Sequence, residues 1–165
     1  MAPMQQDSDP GLAASLQQLR IIVAALLFGV VSFAAVAMFL VQSGSFPTSP
    51  DLARVLMATL AALAVGATVA YRLVRQSFLG KLRARGGTGE RPLAELLQPF
   101  QTLTLVGAAL AEGCCLFALV IYLLTGLPVA LVAAAVGVFA LALFFPRRQR
   151  FQAFRAAAGG SPAPV

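Results

Sequence analysis

Four apolar runs of roughly 20 residues govern what this chain can become. They are Ile21–Val41, Leu52–Val74, Leu103–Leu124 and Leu127–Phe145. Crossing a hydrocarbon core about 30 Å thick takes about 20 helical residues, so each run has the length of a span. The runs lack the alternation of barrel strands, and a lone open strand would leave its amides unsatisfied in lipid. The fold class expected is therefore an all-α membrane protein with four transmembrane helices. A soluble reading fails on composition: 59% of the 165 residues are hydrophobic, 11% are charged, and the mean hydropathy is +0.86.

Charge placement orients the runs. The net charge of +6 would suit nucleic acid, but the basic residues lie where membrane proteins put them, so no nucleic-acid partner is expected. Arg20 precedes the first run, and Arg72, Arg75, Lys81, Arg83, Arg85 and Arg91 cluster at and after the end of the second. Arg147, Arg148, Arg150 and Arg155 follow the fourth, and Arg54 alone falls at the opposite end. The positive-inside rule then places both termini and a 75–100 loop in the cytoplasm, with 42–51 and the Thr125-Gly126 turn outside. The resulting division is a polar leader over 1–20, a transmembrane domain over 21–145 and a basic cytoplasmic tail over 146–165. The first run is too long for a signal-peptide core and follows the acidic Asp7 and Asp9, so cleavage there is not expected. Pro92 and Pro99 interrupt the cytoplasmic loop and leave 93–98 as a candidate interfacial helix. Phe151 and Phe154, set among the arginines of the tail, suggest an amphipathic segment on anionic headgroups, or else a plain stop-transfer cluster.

The first and third runs resemble each other. Shifting the sequence by 84 positions lays Gln17–Leu40 on Gln101–Leu124 with ten identities, among them Gly29/Gly113 and Phe33/Phe117. Composition of this kind gives roughly three by chance, so two parallel hairpin repeats are expected, with shared Ala/Leu/Val content as the competing source. Five glycines, Gly29, Gly66, Gly107, Gly113 and Gly137, are the expected points of close helix approach.

Chemistry is sparse. Histidine is absent, and Cys114 and Cys115 are adjacent on one helix, where successive side chains diverge by about 100°. A disulfide between them and a zinc site are both unexpected. No metal or cofactor is implied, and without a base and nucleophile in reach an enzyme is not expected. The run Gly86-Gly87-Thr88-Gly89 lacks the Gly-Lys-Ser/Thr ending of a phosphate loop and reads as a turn.

Glu112 stands out. It lies near the middle of the third run and is the only acid in any of the four. Placing a carboxylate there costs about 2.5–3.5 kcal/mol on insertion scales, so such a residue has a partner or a use. Desolvation favours its neutral form. Candidate partners are the hydroxyls of Ser32, Thr59 and Thr68, and, at longer reach, Arg54. The stretch Leu105–Leu124, with Gly107, Ala108, Ala111, Glu112, Gly113, Phe117, Leu119 and Val120, resembles the carboxylate-bearing helix of the proteolipid c subunits of rotary ATP synthases. That resemblance implies reversible protonation at Glu112. The chain departs from the family's pattern: helix two has only Gly66 where a glycine repeat belongs, the cytoplasmic loop is long, and the helix ends are basic.

Two functions are therefore expected to compete. One is a structural or accessory membrane protein that associates through Ala/Gly helix faces with copies of itself or with other membrane proteins. The other is a proton- or ion-handling subunit centred on Glu112. A carboxyl bonded to a hydroxyl or arginine within the bundle favours the first, and a carboxyl at a lipid or subunit seam favours carriage.

Overall fold

The computed structural model describes residues 10–44, 50–84, 93–146 and 148–157. Five α-helices follow in order: α1 (Pro10–Gln42), α2 (Ala53–Ala84), α3 (Leu93–Thr125), α4 (Pro128–Leu143) and α5 (Arg148–Ala157), with a 3-10 turn at Pro50–Leu52 leading into α2. Among the described residues there is no strand. Three helical stretches, Ala14–Gln42, Ala53–Leu82 and Leu96–Thr125, are long and apolar enough to cross a membrane. The chain is thus a small polytopic membrane protein.

The helix ends follow from local chemistry. Gly126 takes φ +68 and its N–H donates to the Tyr122 carbonyl at 2.8 Å, the left-handed stop that glycine adopts without a Cβ clash. Pro128 then opens α4, where its missing N–H would have had no helical partner. The fourth apolar run was expected over 127–145, but α4 ends at Leu143. The amides of Phe144 and Phe145 turn back onto the carbonyls of Leu141 and Ala142 at 3.0 and 3.1 Å, and Pro146 disfavours helical geometry in the residue before it. Its 16 residues span about 24 Å, less than the full core of about 30 Å.

The helices alternate in direction. Leu16 and Leu19 of α1 pack with Leu96 and Phe100 of α3, near Leu79 and Leu82 of α2, and Arg20 Nε donates to the Pro146 carbonyl at 3.2 Å just beyond α4. Accordingly α1 and α3 run one way, α2 and α4 the other. α3 is central and packs against α1, α2 and α4. Its apolar window is 39% buried, against 6% for α2. The main core uses Val23, Val30 and Ala37 of α1, Ala108, Cys115 and Tyr122 of α3, and Ala134 and Leu141 of α4. Each set is spaced by seven, the period that keeps one seam facing its neighbour when helices wind gently left-handed.

A second core lies beyond the apolar runs. Leu16, Leu19, Leu96, Phe100 and Phe151 are buried together at the basic end. Two expectations about the loop are corrected here. The 75–100 segment is not a loop: α2 continues to Ala84 and α3 begins at Leu93, so the connection is 85–92, which lies outside the described residues together with the Gly86–Gly89 turn. Pro99 sits inside α3 instead of breaking it. The leader is helical from Pro10 onward, and the tail forms α5 with Phe151 buried against the bundle. The physical reason is common to these extensions. Each helix extension carries leucine or phenylalanine at helical spacing, and together they bury a surface that none could cover alone.

Candidate functional site

Glu112 is half-buried. Successive helical residues rotate by about 100°, which sets Glu112 at the border of two stripes of α3. On one side are the buried Ala108, Cys115 and Leu119; on the other are the exposed Ala109, Gly113 and Val120. The carboxyl therefore sits at a seam between the bundle and its surroundings.

None of the four expected partners bonds to it. The hydroxyls of Thr59 and Thr68 donate instead to carbonyls of their own helix, Val55 at 2.9 Å and Ala64 at 2.8 Å. Such back-bonding is the default for an exposed helical threonine without water. Ser32 is half-buried on α1, and Arg54 is exposed at the start of α2, near the opposite end of the bundle from the other described arginines. No hydrogen bond or ion pair joins Glu112 to another described residue.

The five glycines divide. A Cβ at Gly107 would overlap the Phe144 ring, and one at Gly137 would overlap the Cys115 sulfur. These two mark true close approaches, α3 to the end of α4 and α4 to α3. At Gly29, Gly66 and Gly113 a Cβ would meet nothing within 4 Å, so no described neighbour requires glycine there. Gly113 stands beside Glu112 on the open stripe. Both cysteines are free; Cys115 is buried, with its thiol directed at the Ala134 carbonyl 3.8 Å away. Among the described residues no three His, Cys, Asp or Glu side chains gather as a metal site would require.

A polar cluster that the sequence reading did not isolate lies at the basic end. Tyr71 of α2 meets Phe144 edge-to-face, ring centroids 5.3 Å apart, and the Arg150 guanidinium stacks over Phe144 at 4.9 Å while bonding the Leu143 carbonyl. The aromatic pair bordering arginines, Tyr71 before Arg72 and Phe144 before Arg147, was the available signal. Its convergence depends on α2 and the end of α4 both packing against α3.

Fold and site together define a polytopic all-α bundle with one seam-placed acid. No protein-family model matches the chain, and neither a curated protein nor a solved structure does.

Proposed function

We propose that this protein is a subunit of a larger membrane assembly and that Glu112 lies at its subunit seam. In this reading the bundle crosses the bilayer four times, with α4 and the flanking Phe144 and Phe145 completing the fourth crossing through slight local thinning. The basic end is cytoplasmic, and the correspondence of Gln17–Leu40 with Gln101–Leu124 makes α1–α2 and α3–α4 related hairpins, of which the second is shortened. The work of the chain is association, not catalysis.

One observation carries the reading: the only acid of the apolar runs is half-exposed and has no partner among the described residues. Even a neutral carboxyl at that depth is costly unless something accepts its O–H. A neighbouring chain packed on the open stripe of Ala109 and Gly113 can approach closely enough to do so, because that stripe has no bulk.

The same placement favours a second reading, that the seam carboxyl takes up and releases protons, as the resemblance of Leu105–Leu124 to proteolipid c subunits implies. One set of variants separates the two. The protein in lipid nanodiscs should be oligomeric by native mass spectrometry; a monomer overturns the assembly reading. Glu112→Gln keeps a hydrogen-bonding amide and should keep the oligomer, whereas Glu112→Ala should weaken it. If Gln preserves assembly but abolishes pH-gradient dissipation in vesicles and carbodiimide labelling is pH-dependent, proton handling is the function. If vesicles show no proton flux at any pH, the carboxyl is structural.

A further inference from the structure

Two cavities meet at Tyr71 and Phe144, which line both. The larger, about 620 Å³, is an apolar groove between α2, α3 and α4, walled by small side chains such as Ala64, Ala67, Gly107, Ala133 and Gly137. The smaller, about 340 Å³, lies at the basic end and is lined by Arg75, Arg150, Tyr71, Thr104, Phe100 and Phe154 among others. An apolar slot that ends at two guanidinium groups has the layout of an anionic amphiphile.

The groove follows α2 from Met57 to Tyr71, 14 residues or about 21 Å at 1.5 Å each, and its lining is almost wholly apolar, which suits a polymethylene chain. The length exceeds one leaflet of a core about 30 Å thick, so an acyl chain can lodge along its whole depth.

Charge decides the headgroup. Among the described residues no acidic side chain lines the smaller cavity. Arg75 is exposed and makes no hydrogen bond or ion pair with a described residue. Arg150 is fixed in place: it bonds the Leu143 carbonyl and stacks on Phe144, which leaves most of its five N–H donors for a ligand. Paired guanidinium groups suit the tetrahedral oxygens of a phosphate, and a basic pocket between helices on the cytoplasmic face is where anionic headgroups are held.

We infer that the groove between α2, α3 and α4 is a binding site for one anionic phospholipid, its phosphate between Arg75 and Arg150 and an acyl chain along Ala64, Ala67 and Gly137. This site is separate from the Glu112 seam and stands or falls independently of the assembly reading. Tyr71 and Phe144 form the wall where headgroup passes to chain.

The test uses the full chain in detergent, titrated with dioleoyl phosphatidylglycerol or dioleoyl phosphatidylcholine and read by native mass spectrometry. One phosphatidylglycerol per chain should be retained, and more tightly than phosphatidylcholine. A juxtaposed arginine contributes about 1 kcal/mol near an anionic surface, so Arg75→Gln and Arg150→Gln should each weaken retention about fivefold. Arg72→Gln with Lys81→Gln, charge changes outside the cavity, should have little effect, and Ala64→Phe should block the groove and lower retention while circular dichroism stays unchanged. Equal retention of the two lipids overturns the proposal, as does an equal loss in the Arg72/Lys81 control, which would mean diffuse surface charge. Inorganic phosphate that displaces the lipid at comparable concentration would identify a free-anion site and overturn the lipid assignment. Cross-linked dimers through a cysteine at Ala64 that persist regardless of added lipid would assign the groove to a second copy instead.

Discussion

Removing the ring of Phe151 tests whether α5 is held by the bundle. Phe151 is 5% exposed and meets Phe100 edge-to-face at 5.2 Å, within the cluster that also contains Leu16, Leu19 and Leu96. Burying a phenylalanine side chain is worth about 2 kcal/mol, and an aromatic pair of this geometry adds about 1 kcal/mol, so Phe151→Ala should cost about 3 kcal/mol. A ten-residue helix is marginal by itself in water, so docking is what maintains α5. A loss of about 3 kcal/mol shifts the docking equilibrium roughly a hundredfold. Hydrogen exchange on the protein in nanodiscs should then show α5 amides exchanging roughly a hundredfold faster, with α3 and α4 amides in the apolar runs unchanged. Phe100→Ala, on the opposite side of the contact, should release α5 as well, and Gln152→Ala, on the exposed face, should not. If α5 stays protected in Phe100→Ala but loses protection when anionic lipid is withdrawn, α5 rests on the membrane and the second core is not what holds it.

Other expectations follow from single contacts. Gly137→Ala should destabilise the bundle by about 1–3 kcal/mol in thermal unfolding because its Cβ would overlap the Cys115 sulfur, and Cys115→Ala in the same chain should recover most of the loss. Gly113→Ala meets open space and should leave the isolated chain as stable or up to about 1 kcal/mol more so; a drop in oligomer fraction without a drop in stability would locate the subunit seam there. With the native cysteines replaced, Ser43→Cys should react with a membrane-impermeant maleimide from outside intact cells and Gln152→Cys should not, both positions being exposed at opposite ends of the bundle; the reverse pattern refutes the cytoplasmic placement of the basic end.

The sequence alone determined the class of this protein, because crossing a bilayer is a one-dimensional requirement. Enough consecutive apolar residues, with charge at their ends, can be counted along Ile21–Val41, Leu52–Val74 and Leu103–Leu124 without knowing what touches what. Glu112 was legible for the same reason, since any acid in an apolar run is conspicuous. Its surroundings were not legible. Whether Thr59, Thr68, Ser32 or Arg54 reaches it depends on the rotation of α1 and α2 about their own axes, and runs of alanine, leucine and valine constrain that rotation weakly. Likewise, five glycines look alike in the sequence, but only Gly107 and Gly137 lie where another helix comes close. The polar ends misled most. Residues 10–20, 75–84 and 93–100 read as leader and loop because each is too polar to be a span, yet Leu16, Leu19, Leu79, Leu82, Leu96 and Phe100 pack together once three helix ends and α5 converge. Burial shared among four segments far apart in the chain exists only in three dimensions, and so does the meeting of Arg75, Arg150, Tyr71 and Phe144 at the mouth of the groove.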